Sequence, residues 1–252
     1  MTLLSINGLS VILKGRRVLN DVTFDIQEGE FVGLIGPNGA GKTSLMRAAL
    51  GLLPFEGQSS LADLSQSQRA KQASWMPQTR EIAWPITVES VVMLGRTPHS
   101  SGLQKHSAED LRQVSSALHR MGLHDQRNRP ANQLSGGEQA RALIARALAQ
   151  DTPLLMADEP VAGLDPAHQI AAMETFAALA EQGKSLLVSL HDLGLAARHC
   201  TRLILLGEGG MVADGPPEEV LSPELLARIF GITAWCQRTE AGLIYQPLQV
   251  IR

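Results

Sequence analysis

The sequence predicts an α/β domain on a mainly parallel sheet, with an antiparallel β subdomain at the N-terminus and a helical subdomain inserted in the middle. Three observations carry that prediction. Apolar runs at Phe31-Val32-Gly33-Leu34-Ile35, Leu154-Leu155-Met156-Ala157 and Leu186-Leu187-Val188-Ser189-Leu190 have the length and composition of central strands covered on both faces. Helical patterns alternate with them, as crossover connections require. From about Thr87 to Asn132 no strong strand is found.

In chain order, Leu9, Val11 and Leu13 alternate, then Val22, Phe24 and Ile26, and Glu28-Gly29-Glu30 marks the turn before Phe31. A Gly-rich loop and a helix over Thr43–Leu52 follow. In the middle, Leu111, Val114, Leu118 and Met121 recur at helical spacing, and later Ile170, Met173, Ala177 and Ala180 do the same. The tail offers a strand-like Met211–Ala213, a helix started by Pro216-Pro217-Glu218-Glu219, and another at Ser222-Pro223-Glu224, where Ser caps and Pro takes the first turn. The expected division is one domain over 1–252. Residues 1–86 and 151–252 form the core with its β subdomain, and 87–150 form the helical insert.

A chain of 252 residues buries enough surface to need no disulfide or metal staple. Its formal charge of −3 argues against a broad basic face for nucleic acid. Cys200 and Cys236 lie far apart and read as small buried hydrophobes of a reducing compartment. Met1–Ser10 lacks a basic segment and a long apolar run, so a signal peptide is not expected there. Stretches such as Ala48–Leu53 fall far short of the roughly 18 residues that cross a bilayer, so membrane association is expected to come through a partner. The remaining histidines, His99 and His106 among them in an expected loop, show no metal spacing.

Gly36-Pro37-Asn38-Gly39-Ala40-Gly41-Lys42-Thr43, followed by Ser44, fits the G-x-x-x-x-G-K-[ST] phosphate loop between an apolar strand and a helix. Glycines let successive N–H groups turn toward phosphate oxygens, and the helix start adds partial positive charge. Lys42 suits the β- and γ-phosphates, and the Thr43 hydroxyl suits Mg²⁺. The adjacent acids Asp158 and Glu159 end an apolar strand, at the sheet edge where such folds bind ligands. Ser135-Gly136-Gly137 opens a strong helix and reads, by itself, as either a simple N-cap or a second anion site.

Together these motifs resemble the ATPase subunits of ABC transporters. Leu134-Ser135-Gly136-Gly137-Glu138-Gln139 is similar to the ABC signature, and Leu154 to Glu159 with Pro160 to the Walker B strand. Gln78, Asp165 and His191 stand where the Q-loop, D-loop and H-loop residues belong. The resemblance spans essentially the whole chain and implies a P-loop NTPase core, with ATP and Mg²⁺ as cofactors. It implies Thr43, Gln78 and Asp158 at the metal, Glu159 as general base, and His191, Gln78 and Asp165 as its catalytic companions. Leu134, Ser135, Gly136, Gly137 and Glu138 would face the γ-phosphate held by a second copy, so the working unit would be a homodimer. Where the family usually stacks an aromatic residue on adenine, this sequence has Leu13, with Val18 nearby. Weaker or less base-selective nucleotide binding is expected.

Gly95-Arg96-Thr97-Pro98-His99, His191-Asp192-Leu193-Gly194-Leu195-Ala196-Ala197-Arg198 and Gly215-Pro216-Pro217-Glu218-Glu219-Val220-Leu221 resemble the ATPases of iron-siderophore, haem and cobalamin importers. That implies two membrane-spanning permease subunits, an extracytoplasmic substrate-binding protein, and a peripheral position on the cytoplasmic face of the inner membrane. An exporter ATPase, a soluble ATPase acting on DNA or ribosomes, and a binding module without hydrolysis are the alternatives. The helical insert disfavours the first. The second usually has a coiled-coil insertion or a paired ATPase half, neither of which is seen in this sequence. Glu159 and His191 disfavour the third.

Overall fold

The computed structural model describes residues 1–79, 82, 84–99, 106–239 and 242–251. Three sheets organise them. β1 (Thr2–Leu13) lies between β2 (Arg16–Gln27) and β4 (Glu56–Ser59) in an antiparallel sheet. The main sheet has six strands in the order β5-β6-β7-β3-β8-β9, from β3 (Phe31–Ile35), β5 (Ala73–Met76), β6 (Leu154–Asp158), β7 (Ser185–Ser189), β8 (Arg202–Gly207) and β9 (Gly210–Gly215). It is parallel except for the β8–β9 edge. Every residue of β3, β6 and β7 is buried, which is why these strands read as unbroken apolar runs instead of alternating ones. A last hairpin, β10 (Ile232–Thr239) with β11 (Gly242–Val250), packs on α7 (Leu193–His199).

Helices α1 (Lys42–Ala49), α2 (Gln66–Gln72), α6 (Pro166–Glu181) and α7 accompany the sheets. Between β5 and β6 the described residues form helices: α3 (Val88–Met93), α4 (Ala108–Arg120) and α5 (Gly136–Ala149), with 3₁₀ turns. The expected insert, 87–150, includes residues 100–105, which lie outside the described set. Two short helices, α8 (Pro217–Val220) and α9 (Pro223–Leu225), follow β9, and the Ser222 hydroxyl accepts from the Leu225 N–H as expected.

The Gly95–His99 segment is a structural clamp. Arg96, 4 % exposed, donates from Nε to Asp110 Oδ1 at 2.8 Å and from Nη1 to the Ala149 carbonyl at 2.8 Å. It ties the start of α4 to the end of α5. The Asp110 carboxyl is pulled down to about 2, first by the Arg96 hydrogen bond and then by those from Ser107.

Several expectations need correction. Leu111 and Ile170 have the right helical spacing but are exposed; Asp110 with Val114 and Leu118, and Ala172 with Met173 and Phe176, form the buried faces. The helix expected over Thr43–Leu52 ends at Ala49, where Gly51 turns the chain at φ 63°. His99 closes a 3₁₀ turn and bonds the Gln150 carbonyl at 2.8 Å, so it is not in a loop. Cys200 is buried against Gly33 as expected, but Cys236 lies exposed on β10, a strand with no fully buried residue.

Candidate active site

The C-terminal edges of β3, β6 and β7 bring the predicted residues together. After β3 the chain curls through Gly36, Gly39 and Gly41, at φ 149°, 82° and 97°, before entering α1. A side chain at Gly36 is impossible, since its Cβ would meet the Leu206 carbonyl oxygen at 2.3 Å. α1 therefore starts from a left-handed glycine with no side-chain cap. Its first-turn N–H groups carry the partial positive charge that anions seek. Lys42 is 6 % exposed, and its Nζ donates to the carbonyls of Gly36 (2.7 Å) and Pro37 (3.2 Å). Burial lowers the Lys42 pKa, and the negative charges of Glu159 and Asp158 act in the opposite sense.

Asp158 is fully buried at the end of β6. Its Oδ2 accepts from the Thr43 hydroxyl at 2.7 Å, and its Oδ1 from the Ser189 hydroxyl at 2.6 Å. Ser189 Oγ in turn accepts from the Glu159 N–H at 2.8 Å. That bond helps hold Glu159 at φ 50°, a left-handed conformation that costs a non-glycine residue roughly 1–2 kcal/mol. Adjacent acids are thereby split: one faces inward to Thr43 and Ser189, the other outward to His191, whose Nε2 lies 2.5 Å from Glu159 Oε1. Ser189 is the residue that sequence reading missed. A polar side chain inside an apolar strand, two positions before His191, was the available signal.

A cleft of about 330 Å³ is lined by Val18, Asn38–Ser44, Gln78, Glu159 and His191. It holds most of the expected phosphate-loop residues, and Gln78, from just after β5, reaches it. Asp158 lies beneath, bonded to Thr43. A hydroxyl paired with a carboxylate is a hard-oxygen donor set that fits Mg²⁺, and the glycine loop with its lysine fits a polyphosphate. Leu13 is not among the lining residues. It packs against the N-terminal core, so the expected apolar contact to a base falls to Val18. Arg16, Arg17 and Val18, with Pro37–Ala40, line an adjoining hollow; the two arginines were not singled out from sequence.

Two expected groups stand apart from the cleft within one protomer. Asp165 caps α6, accepting from the His168 N–H at 3.0 Å and meeting His168 Nδ1 at 2.5 Å. Those bonds, led by the backbone one, lower its pKa. Ser135 caps α5 in a reciprocal box: its hydroxyl accepts from the Glu138 N–H at 3.3 Å, and its own N–H donates to Glu138 Oε2 at 2.8 Å. Ser135 and Gly136 are exposed, and none of Leu134, Ser135, Gly136, Gly137 or Glu138 is among the described residues lining the cleft.

Comparison with known proteins agrees with this architecture. The family model described as ABC transporter matches residues 19–162. The hemin import ATP-binding protein HmuV of Pseudomonas aeruginosa is 40% identical over 262 residues, covering 99% of this chain and 100% of that protein. The cobalamin import ATP-binding protein BtuD of Halobacterium salinarum is 38% identical over 90% of this chain, which spans 58% of the relative's length. Among solved structures, an inward-facing metal-chelate type ABC transporter has a TM-score of 0.85 at 23% identity, over 99% of this chain and 98% of its own. An ATP-binding cassette solved as a dimer with ADP and Pi has a TM-score of 0.74 at 27% identity, over 85% and 99%.

Proposed function

Because the chain belongs to the ABC transporter family, whose model covers more than half of it, we propose that it is the ATP-binding and ATP-hydrolysing subunit of a membrane importer, acting as a homodimer. The single observation that carries this reading is the convergence of Lys42, the Thr43–Asp158 pair and the Glu159–His191 pair on one glycine-lined cleft.

The residues divide the work. The loop from Gly36 to Ser44 and the start of α1 hold the phosphates of ATP, and Lys42 turns from backbone carbonyls toward phosphate oxygens. Thr43, Asp158 and Gln78 would hold Mg²⁺, which supplies charge neutralisation at the phosphates. Glu159, raised to the cleft by its left-handed backbone, orients and deprotonates the attacking water, and His191 steadies the carboxylate. Ser135 and its following glycines complete the site from the partner copy. This accounts for the exposed helix tip outside the cleft of its own protomer. Asp165 would act at the same interface, as well as capping α6.

The helices within residues 87–99 and 106–150 form the unit that moves against the core when the dimer closes. A groove lined by Leu52, Arg69, Trp75, Leu94, Thr97 and Pro98 runs between the two and offers apolar side chains to the permease; Leu52 and Leu94 are about half exposed. No helix among the described residues is long and apolar enough to cross a membrane; on this reading the chain attaches to the permease through that groove, at the cytoplasmic face where ATP is supplied. The haem relative aligns along its whole length, which favours an iron complex, with cobalamin next, delivered by an extracytoplasmic binding protein through two permease subunits.

Turnover of the Glu159→Gln protein with ATP and Mg²⁺ is the test. Loss of a general base lowers the rate by ~10²–10⁴, while ATP binding persists and a closed dimer accumulates. Near-normal turnover would remove Glu159 from the role.

A further inference from the structure

A second cavity, of about 260 Å³, shares no lining residue with the phosphate-loop cleft. One wall is α4, with Arg112, Ala117 and Arg120. The other comes from the end of α6 and the start of β7, with Gln182, Lys184 and Leu186. It therefore lies in the seam between the helical segment and the sheet core.

Its floor contains an unexplained polar group. Ser74 on β5 is fully buried; its N–H donates to Thr152 Oγ1 at 3.0 Å, and the Thr152 hydroxyl donates to the Leu154 carbonyl at 2.7 Å. The Ser74 hydroxyl has no hydrogen-bond partner among the described residues. Buried hydroxyls are rarely left so, because the desolvation is uncompensated. Beside it, Ala117, Ala147, Leu155 and Leu186 give an apolar lining.

The rim carries unbalanced charge. Lys184 Nζ pairs with Asp151 Oδ1 at 2.8 Å and Arg112 with Glu109 at 2.6 Å, whereas Arg120 has a long bond of 3.4 Å to the neutral Gln182 Oε1. Three cations thus face two carboxylates, leaving one positive charge at the mouth of a small, half-apolar cavity.

We propose that this seam cavity is a binding site for a small monoanion: a carboxylate on a compact apolar body with one polar atom at its far end. The carboxylate pairs with Arg120 at the rim, the body covers Ala117, Ala147, Leu155 and Leu186, and the far polar atom meets the Ser74 hydroxyl. An occupant touches both α4 and the core. If the insert moves as the ATPase reading holds, occupancy resists that motion and slows turnover.

The binding part is tested without nucleotide, so it stands or falls apart from the ATPase reading. 4-Hydroxybenzoate, benzoate and benzylamine are titrated into the full chain, followed by calorimetry and by crystal soaks. 4-Hydroxybenzoate is expected to bind better than benzoate, and benzylamine to bind not at all. Arg120→Gln weakens binding about tenfold or more, as for loss of a hydrogen bond to a charged group. Ser74→Ala, a small change at a buried site, removes the preference for the hydroxylated probe while retaining benzoate. Equal binding of benzylamine, an Arg120→Gln protein of unchanged affinity, or a soaked crystal with only water bridging Ser74 would overturn the proposal.

Discussion

Two helix starts in this chain are rich in glycine, and they are built in opposite ways. α1 begins at Gly41 in the left-handed region with no side-chain cap, and its preceding loop is curled by further glycines. α5 begins at Ser135 in a closed capping box with Glu138, the same device that opens α2 at Ser65 with Gln68 and α4 at Ser107 with Asp110. Apart from α1 and the short, proline-started α8, every described α-helix satisfies a first-turn N–H with its own capping side chain. The α1 start does not, so its donors remain available for an anion bound inside the protomer. The α5 tip is already capped and exposed, which suits a surface met by something from outside.

The contrast can be sharpened by mutation. The largest effect is expected where a cap also serves a buried ion pair. Asp110→Ala removes the carboxylate from a buried ion pair with Arg96, and should cost about 3–5 kcal/mol of stability in a denaturant titration, with little change in turnover per folded molecule. The same pair sets a pH dependence. The Asp110 carboxyl lies at about 2 in the folded protein, below its ordinary 3.8, so its stabilisation is complete above pH ~4 and is lost as pH falls toward 2. In Asp110→Ala that portion of the acid-unfolding curve should flatten.

Next is Ser135→Ala. Its stability cost should be that of an N-cap, about 1 kcal/mol. Turnover should fall far more, ~10²–10³-fold if the hydroxyl is a donor to developing charge. Ser65→Ala is the internal control: the capping box is equivalent, so about 1 kcal/mol is lost in melting experiments and ATP turnover is unchanged. Equal effects of both alanines on turnover would break the distinction between the two kinds of helix start. The smallest effect is expected on the base side. Leu13 stands outside the cleft, so Leu13→Tyr should strengthen ATP over GTP binding by only about 1 kcal/mol, the low end of base–aromatic stacking. Equal selectivity before and after would dismiss a base-side role for that position.

Much of this was legible in the sequence because the chemistry constrains residue types at short range. The phosphate loop, the paired acids at the end of β6 and the serine cap of α5 are local patterns with local causes. What escaped was set by tertiary contact. Ser189 joins Asp158 and Glu159 only because β6 and β7 are neighbours in register, Asp158 opposite Ser189. Leu111 and Ile170 satisfy helical spacing, yet both are exposed among the described residues. Nothing in the Gly95–His99 motif marks Arg96 as interior, although it is a buried clamp between α4 and α5. The β10–β11 hairpin lacks strong alternation because even the side that packs on α7 is only half-buried, with no fully buried residue in either strand.

The central claim, that each catalytic site draws on both copies, is tested most directly by mixing two inactive proteins. Lys42→Ala disables the phosphate loop and leaves the Ser135 helix tip intact; Ser135→Arg does the reverse. If sites form between copies, a mixed dimer contains one complete site, and ATP hydrolysis should reappear on mixing although neither parent hydrolyses it. If each protomer builds its own site, mixing restores nothing, and the account is contradicted.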